Sequence, residues 1–393
     1  MLDITDDFPL LKRTIEDERV IYLDSAATSL KPTAVIDAVQ RFYTHSTANV
    51  HRAIHQLADE ATDAFELARA DVARLIGAEQ NEIILTRGTT DGISLIRNGA
   101  RSLEKVVTTA IEHHSNYLPW AFGDSPRVVG LVDEGRLDLD QLAGFLKEGV
   151  DLVAVGYVSN VHGLINPIEE IIAMAHDAGA RVLVDAAQAV GHFPIDVKAL
   201  DVDFMAFSSH KMMGPGGVGA LYCKRDALAL LQPVVLGGHT VESVHLESYE
   251  LQPAPARFEA GTPPIEAVIG WGAAARYLSR LGLENVEAHC KELVRYAYEK
   301  AQGFSNIRLV GPAEPDSVSA TLSFVVEDIE AHGVARMLSN RSNLCLRSGF
   351  HCAQPLHETL GLPPTVRASF HAYNTKADID VLIDALDAVL ALT

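Results

Sequence analysis

The sequence predicts an α/β protein whose central sheet is mostly parallel and doubly wound. Short apolar runs typical of buried strands alternate with amphipathic helical segments between residues 82 and 223. Polar residues that could bind a ligand follow several of these runs, and the carboxyl edge of a parallel sheet is where open α/β folds bind ligands. The chain has 393 residues, 48% of them hydrophobic, which is enough for two domains with buried cores.

The first elements precede the predicted sheet. Residues 21–27 form a short strand that runs into a turn of small residues, and Pro32 opens a helix that reaches Phe42. An amphipathic helix is expected from Asp59 to Ile76, because its apolar residues recur on one face. The strands of the sheet are expected at residues 82–86, 106–110, 151–157, 181–185, 203–207 and 220–223, with a helix at 168–178.

The C-terminal part predicts a smaller α+β unit. A long helical stretch runs from about Pro263 past Lys300, and its first part, from Ile265 to Leu281, is expected to connect two domains. Further strands are expected at 321–326 and 343–347, and helices at 334–338 and 377–392. We therefore expect a large domain of residues 17–280 and a small domain of residues 1–16 and 281–393.

Composition excludes several classes of protein. The chain has 32 basic and 52 acidic residues and a formal charge of -20, so nucleic acid and anionic membranes are poor partners. The N-terminus lacks the pattern of a signal peptide, and no uncharged apolar run is long enough to span a bilayer. The four cysteines have neither metal-type spacing nor a disulfide framework, so we expect a cytoplasmic protein.

Two strand ends predict a cofactor site. Lys211 closes the segment Ser208-Ser209-His210-Lys211 after one strand, and Asp185 ends the preceding strand. A solvated turn lysine is the ordinary alternative for Lys211 taken alone. Lysine becomes a useful nucleophile where its surroundings lower its pKa. Pyridoxal phosphate needs such a lysine, and it needs a carboxylate that keeps its pyridine nitrogen protonated.

Nearly the whole chain resembles the fold-type I pyridoxal-phosphate enzymes of the class V aminotransferase family. Asp185-Ala-Ala-Gln188 and Ser208-Ser-His210-Lys211 look like the cofactor signature of that family. The resemblance implies a covalent bond from Lys211 to the cofactor and a contact from Asp185 to its ring nitrogen. It also implies that Gln188 binds the phenolic oxygen and that Ser208 and His210 bind the phosphate.

The turn Arg87-Gly88-Thr89-Thr90-Asp91-Gly92 predicts a phosphate cradle. Backbone N–H groups and the helix dipole favour an anion where a strand passes through glycine into a helix, although threonine and aspartate also serve as plain helix caps. In the family the matching turn binds the cofactor phosphate, which points to Thr89 and Thr90.

Three further residues take roles that only the resemblance implies. His113, the first histidine of Glu112-His113-His114, would stack on the pyridine ring. Asn160 would lie beside the cofactor and the substrate carboxylate. Thr262, in Glu-Ala-Gly-Thr, would bind the phosphate in a second subunit, which implies a homodimer with shared sites.

His51 and His55 could bind zinc if their segment were helical, because residues at i and i+4 share one helix face. No third ligand is evident, so we expect no metal. By resemblance, residues 49–55 line the mouth of the active site.

Cys352 is the second candidate for chemistry. Alone, it would be interpreted as a buried structural thiol. Its surroundings, Arg347-Ser-Gly-Phe-His351-Cys352-Ala-Gln-Pro355 with Arg367 downstream, closely resemble the group II cysteine desulfurases. In those enzymes a cysteine takes the sulfur of L-cysteine as a persulfide and alanine leaves. Arg347 and His351 would favour the thiolate.

The same resemblance suggests how substrate and sulfur are handled. Arg367, and as a second candidate Arg347, would bind the substrate α-carboxylate, because a guanidinium fork matches a carboxylate. Selenocysteine is chemically close and could also be a substrate, and a sulfur-acceptor protein is a possible partner.

Two rival functions are a lyase or other enzyme of the same family that does not use the thiol, and a non-catalytic binding protein with the same fold. Residues 239–244 depart from the family, which usually has an acidic residue and a Met-Ile pair after the glycines.

Overall fold

A computed structural model describes residues 2–51, 54–122 and 127–391. Arg52 and Ala53, inside the segment expected to line the site, lie outside the described residues, as does Leu392, where the last helix was expected to end. None of the helices in these ranges has the length and apolar character needed to cross a membrane.

The strands share a short length of two to six residues. In chain order they are Thr14–Ile15 (β1), Glu18–Arg19 (β2), Ile21–Tyr22 (β3), Ile83–Thr86 (β4), Val106–Thr109 (β5), Arg127–Val129 (β6), Leu152–Gly156 (β7), Arg181–Asp185 (β8), Phe204–Ser208 (β9), Gly219–Cys223 (β10), Val241–Val244 (β11), Tyr249–Leu251 (β12), Ile307–Val310 (β13), Thr321–Val326 (β14), Leu344–Cys345 (β15), Arg347–Gly349 (β16) and Thr365–Ser369 (β17).

The α-helices fill most of the intervals between the strands. In chain order they are Thr33–His45 (α1), Gln56–Leu75 (α2), Thr89–Gly99 (α3), His114–Ala121 (α4), Leu139–Lys147 (α5), Ile168–Asp177 (α6), Val197–Leu200 (α7), Arg225–Leu228 (α8), Ile265–Leu281 (α9), Leu283–Ala301 (α10), Ala331–Ser342 (α11), Gln354–Thr359 (α12) and Lys376–Leu390 (α13).

The central sheet has seven strands in the order β4-β10-β9-β8-β7-β5-β6. The pairs from β9 to β6 are parallel, and β10 is antiparallel to both of its neighbours. Because β4 and β9 are each antiparallel to β10, they run in the same direction as the rest. The predicted mostly parallel sheet is therefore confirmed, and the carboxyl ends of β4, β5, β7, β8 and β9 meet at one edge.

Helices cover both faces of this sheet, as the alternation of its side chains requires. Val153 and Val155 of β7 belong to one buried cluster, whereas Leu152 and Ala154 belong to another on the opposite face. Buried strands with apolar residues on both faces are typical of doubly wound folds.

A second sheet, in the order β13-β14-β17-β16, is antiparallel throughout. It has its own apolar core with α10, α11 and α13, and Ile21 and Leu23 near the N-terminus also pack there. The division into residues 17–280, and 1–16 with 281–393, stays a prediction, although the separate cores support two units.

The first part of the long helical stretch has its expected bounds, because α9 runs from Ile265 to Leu281 and ends at Gly282, which has a φ of 79°. Glycine reaches such positive φ values without the steric cost that other residues bear. The strand expected at 343–347 needs correction, because it is two strands: β15 pairs with β3, whereas β16 joins the second sheet.

Candidate active site

A cavity of 270 Å³ lies at the carboxyl edge of the central sheet, against the turn that follows β16. Nearly all of the predicted site residues line it, although they come from distant parts of the chain. They are Thr89, Thr90, His113, Asn160, Asp185, Gln188, Ser208, His210, Lys211, Arg347, Cys352 and Arg367. Thr262 is exposed and is not part of the lining.

Lys211 lies in a single 3-10 turn directly after β9. The carbonyl oxygen of His210, just before it, accepts hydrogen bonds from Ser29 N at 2.9 Å and from Lys31 Nζ at 3.2 Å. The hydroxyls of Thr28 and Ser29 lie 3.0 and 3.1 Å from the same oxygen. The N-terminal segment therefore fixes the peptide that carries the lysine.

Burial lowers the pKa of Lys211 to about 8, and the nearby Asp185 opposes this shift. On the order of a tenth of the amine is therefore neutral near pH 7. A neutral amine can act as a nucleophile and can accept a proton, which an ordinary lysine rarely does at this pH.

Asp185 ends β8 and faces the cavity from the floor of the sheet. Its Oδ1 accepts a hydrogen bond from Ala187 N at 2.9 Å, and burial raises the pKa of its carboxyl against the influence of that bond and of Lys211. A buried carboxyl group of this kind is suited to binding a cationic group, because such a group restores the charged form.

Hydroxyl groups surround the start of α3. Thr89 N donates to Ser208 Oγ at 2.9 Å, and the hydroxyls of Thr89 and Ser208 are 2.7 Å apart. The Thr90 hydroxyl lies 2.7 Å from Ser115 Oγ. Gly88 opens this helix with a φ of 150°, and a Cβ there would lie 3.3 Å from Ser208 Oγ. The cluster of donors at a helix N-terminus suits an anion such as phosphate.

His113 caps α4, and its Nδ1 accepts from Ser115 N at 3.1 Å. Burial first, and then Lys211, lower the pKa of His113 to about 4. The ring is therefore neutral, with its proton on Nε2 when Nδ1 accepts. A neutral, flat ring on the cavity wall can pack against a planar ligand.

Glu112, which the sequence analysis did not single out, also lines the cavity. Its carboxylate accepts from Thr109 Oγ1 at 2.6 Å, from Asn116 Nδ2 at 2.7 Å and from Gly156 N at 2.9 Å. Burial nevertheless raises the pKa of Glu112 to about 8. Its contacts join the ends of β5 and β7 behind His113, and its position directly before His113 was the available signal.

Cys352 lies in the turn between β16 and α12 and is exposed. His351 and Cys352 have φ values of 51° and 57°. The backbone of two consecutive residues other than glycine is therefore in the left-handed region. Each costs on the order of 1 kcal/mol. Asn160 Nδ2 donates to His351 O at 2.7 Å, and His114 N donates to Cys352 O at 2.8 Å, which fixes the turn against the central sheet.

His351 does not supply the positive charge that the sequence analysis expected near Cys352. Burial first, then the neighbouring Arg367, lower the pKa of His351 to about 3, so its ring is neutral. The positive charges that interact with the thiol belong to Lys211, Arg347 and Arg367.

Arg367 on β17 is 2% exposed and faces the cavity. Its Nη1 donates to Asn160 O at 2.6 Å and its Nη2 lies 3.4 Å from Asp24 Oδ1, whereas its buried Nε has no hydrogen-bond partner among the described residues. Arg347 Nη2 lies 3.0 Å from Asp24 Oδ2. Asp24, another residue that the sequence analysis missed, thus orients both arginines where a carboxylate could bind.

The remaining predicted residues have different partners. Gln188 Nε2 donates to Ala26 O at 2.8 Å. His51 and His55 do not share a helix face, because His55 is extended and caps α2. His51 instead stacks on His239, with 4.8 Å between ring centres. Within the ranges that the structure describes, no group of three metal-binding side chains occurs.

Thr262 follows a firmly held segment. Glu259 accepts from Arg69 Nη2 at 2.9 Å and from Leu85 N at 2.7 Å, and the side chains of Glu259 and Arg69 are both buried. Nearby, β11 and β12 form a hairpin, on which Val244, Leu246 and Tyr249 are exposed.

The fold and the cavity define a class of α/β enzymes that bind a ligand at a sheet edge, between a lysine and a buried carboxyl group. A family model described as "Aminotransferase class-V" matches residues 21–382. The chain belongs to this family, whose members are pyridoxal-phosphate enzymes.

Similar proteins have names that indicate one activity. A probable cysteine desulfurase 2 from Mycobacterium leprae is 42% identical, with 96% of this chain and 93% of that protein covered. A cysteine desulfurase from Haloferax volcanii is 39% identical, with 98% and 96% covered.

Two solved structures agree over almost their full length. The apo cysteine desulfurase from Thermococcus onnurineus NA1 has a TM-score of 0.94 and 38% identity, with 99% of this chain and 98% of that chain covered. The S-sulfonic acid form of the cysteine desulfurase CsdA from Escherichia coli has a TM-score of 0.90 and 36% identity, with the same coverage.

Proposed function

We propose that this protein is a pyridoxal-phosphate-dependent cysteine desulfurase, which converts L-cysteine to L-alanine and keeps the sulfur as a persulfide on Cys352. The observation that carries the proposal is that the exposed Cys352 lines the same cavity as Lys211 and Asp185. A lyase that releases sulfide into solution would not need a thiol at this position. The names of the full-length relatives support the same activity.

The residues at the cavity fit pyridoxal phosphate. Lys211 would bind it covalently, Asp185 would face its ring nitrogen, Gln188 its phenolic oxygen and His113 its ring. Thr89, Thr90, Ser208 and His210 would bind its phosphate. The fit rests on two observations: a buried carboxyl group that needs a cationic partner, and a hydroxyl cluster at a helix N-terminus. When bound, this cofactor supplies an electron sink for charge that develops on the substrate.

The protein's own groups handle the substrate. Arg367, with Arg347, binds the α-carboxylate of L-cysteine, and Asn160 holds Arg367 in place through its carbonyl oxygen. Lys211, whose pKa is about 8, accepts and returns protons at the α-carbon.

The thiolate of Cys352 attacks the sulfur of the substrate. The new S–S bond forms as the bond from that sulfur to the β-carbon breaks, and the electron pair stays with the carbon. Protonation of that carbon then gives alanine. The same chemistry would accept selenocysteine, and because Cys352 is exposed, its persulfide could pass to a sulfur-acceptor protein.

A second copy of the chain would complete the site. Thr262 is exposed on the protein, beside a hairpin whose Val244, Leu246 and Tyr249 are also exposed. Apolar side chains grouped in this way indicate an interface. In a homodimer, Thr262 of one copy would bind the cofactor phosphate of the other.

The test compares Cys352→Ala with Cys345→Ala, which removes a partly buried thiol from the neighbouring strand β15. Alanine formation from L-cysteine should fall to the background level in Cys352→Ala, and Cys345→Ala should retain it. Both variants should bind the cofactor, as its visible absorption would show. Undiminished alanine formation in Cys352→Ala would identify a lyase and refute the proposal.

A further inference from the structure

A network of buried polar side chains contacts the Cys352 turn and does not include the residues that hold the turn against the central sheet. His351 Nε2 is 2.9 Å from Thr365 Oγ1, and His357 Nε2 is 3.4 Å from the same hydroxyl. His357 Nδ1 is 3.0 Å from the carbonyl oxygen of Ala353. Thr365 is fully buried and His357 is 1% exposed, so these groups depend on one another for hydrogen bonds.

The direction of each hydrogen bond in this network follows from the group at one end of it. The carbonyl of Ala353 can only accept, so His357 Nδ1 donates to it. A neutral His357 then has a lone pair on Nε2, which the Thr365 hydroxyl can satisfy by donating to it. The hydroxyl in turn accepts from Nε2 of His351. This leaves a proton on Nε2 of His351 and a lone pair on its Nδ1, which is buried and has no partner in the part of the chain that the structure describes.

The Cys352 turn has an unfavourable backbone conformation. His351 and Cys352 both lie in the left-handed region of φ, and neither is glycine. From the sheet side, Asn160 and His114 bind the carbonyls of residues 351 and 352. From the other side, Thr365 binds the side chain of His351, and His357 binds the carbonyl of Ala353. His351 is therefore held through its carbonyl oxygen and its side chain, and Cys352 and Ala353 are each held through the carbonyl oxygen.

We propose that Thr365 and His357 are positioning residues that hold the Cys352 turn in the conformation in which its thiol lines the cavity. This inference rests on the proposed function of Cys352. Neither residue lines the cavity, so both act on the reaction only through the turn. A sulfur-transfer step is sensitive to such positioning, because displacement of a reacting group by about 1 Å can cost roughly 100-fold in rate.

The alternative is that the two residues merely fill the core. The variant Thr365→Val separates the two roles, since valine keeps the shape of threonine and removes the hydroxyl. Thr365→Ser restores the hydroxyl alone. An exposed control with the same chemical change is Thr359→Val on α12, where the hydroxyl donates to Pro355 O of its own helix at 2.7 Å. His357→Asn adds a second test, because its amide nitrogen can replace Nδ1 as the donor to Ala353 O, whereas the shorter side chain has no atom at the position of Nε2 to accept from Thr365.

Two measurements on the cofactor-bound protein test the proposal: hydrogen–deuterium exchange of a peptide that covers residues 350–356, and the single-turnover rate of persulfide formation with L-cysteine. Thr365→Val and His357→Asn should speed exchange and lower the rate by about 10-fold or more, with the cofactor absorption unchanged. Thr365→Ser should stay within about 2-fold of the unaltered protein in both, as should Thr359→Val.

Two results would overturn the inference. One is a Thr365→Val protein that matches Thr359→Val in exchange and in rate. The other is a slower rate without faster exchange, which would place the effect outside the turn. If the unaltered protein forms no persulfide, the proposed function fails, and the exchange comparison still decides whether Thr365 holds the turn.

Discussion

Replacement of Lys211 by methionine should stabilise the cofactor-free protein at neutral pH. Burial lowers the pKa of this amine from 10.5 to about 8, which corresponds to roughly 3 kcal/mol that opposes folding while the amine is charged. The cofactor site requires a buried lysine, and burial of its charged amine opposes folding of the cofactor-free protein. Methionine has a similar length and carries no charge, so it removes this cost.

The pH dependence identifies the cause. Because the unfolded chain binds the Lys211 proton more tightly than the folded protein does, this group makes stability rise with pH between about 8 and 10.5. The gain in the free energy of unfolding from Lys211→Met should therefore shrink by about 2 kcal/mol between about pH 7 and pH 9.5.

Urea unfolding of both cofactor-free proteins at the two pH values measures the gain. Lys198→Met is the control, because Lys198 is a surface residue 2.6 Å from Glu79 and its pKa is raised, so it stays charged throughout. Its effect should not change with pH over this range. If Lys211→Met raises the free energy of unfolding by the same amount at both pH values, burial does not lower the pKa of this amine and the argument is refuted.

Three further predictions concern other parts of the site. Glu259→Gln should lower the free energy of unfolding by about 2 kcal/mol in urea, because it removes the buried carboxylate that binds Arg69 and leaves that arginine with the partly exposed Glu66; a loss below about 1 kcal/mol, similar to that of the exposed Glu60→Gln, would contradict this. Arg367→Lys should raise the KM for L-cysteine by at least about 10-fold, because lysine cannot donate to Asn160 O and also form two hydrogen bonds with the substrate carboxylate. An unchanged KM would exclude Arg367 as the carboxylate ligand. Asp185→Asn should retain cofactor absorption and lower turnover by at least about 100-fold, because the amide cannot stabilise a protonated ring nitrogen; full turnover would show that this contact is not needed.

The sequence was most informative where local pattern decides the structure. The apolar runs at 151–157 and 181–185 are buried on both faces, so their pattern predicts central parallel strands, and Asn160 and Asp185 follow at the expected edge. The expected helix from Ile265 to Leu281 also ends where the local sequence indicates, because Gly282 follows it and glycine is a common helix end.

Other parts of the site depend on contacts that no local pattern encodes. Asp24 contacts Arg367 across 343 residues of sequence, and Thr365 joins two histidines that lie 14 and 8 residues before it. The neutral state of His351 follows from its burial, which proximity in sequence to Cys352 did not reveal. These roles become visible only after the second sheet has brought β16 and β17 against the edge of the first.

Mass spectrometry of the Cys352 peptide after a single turnover with L-cysteine tests the proposed function most directly. A cysteine desulfurase should carry one added sulfur atom on Cys352, formed together with an equal amount of alanine, and no added sulfur on Cys345. Cofactor-bound protein that forms neither the persulfide nor alanine would contradict the proposed function.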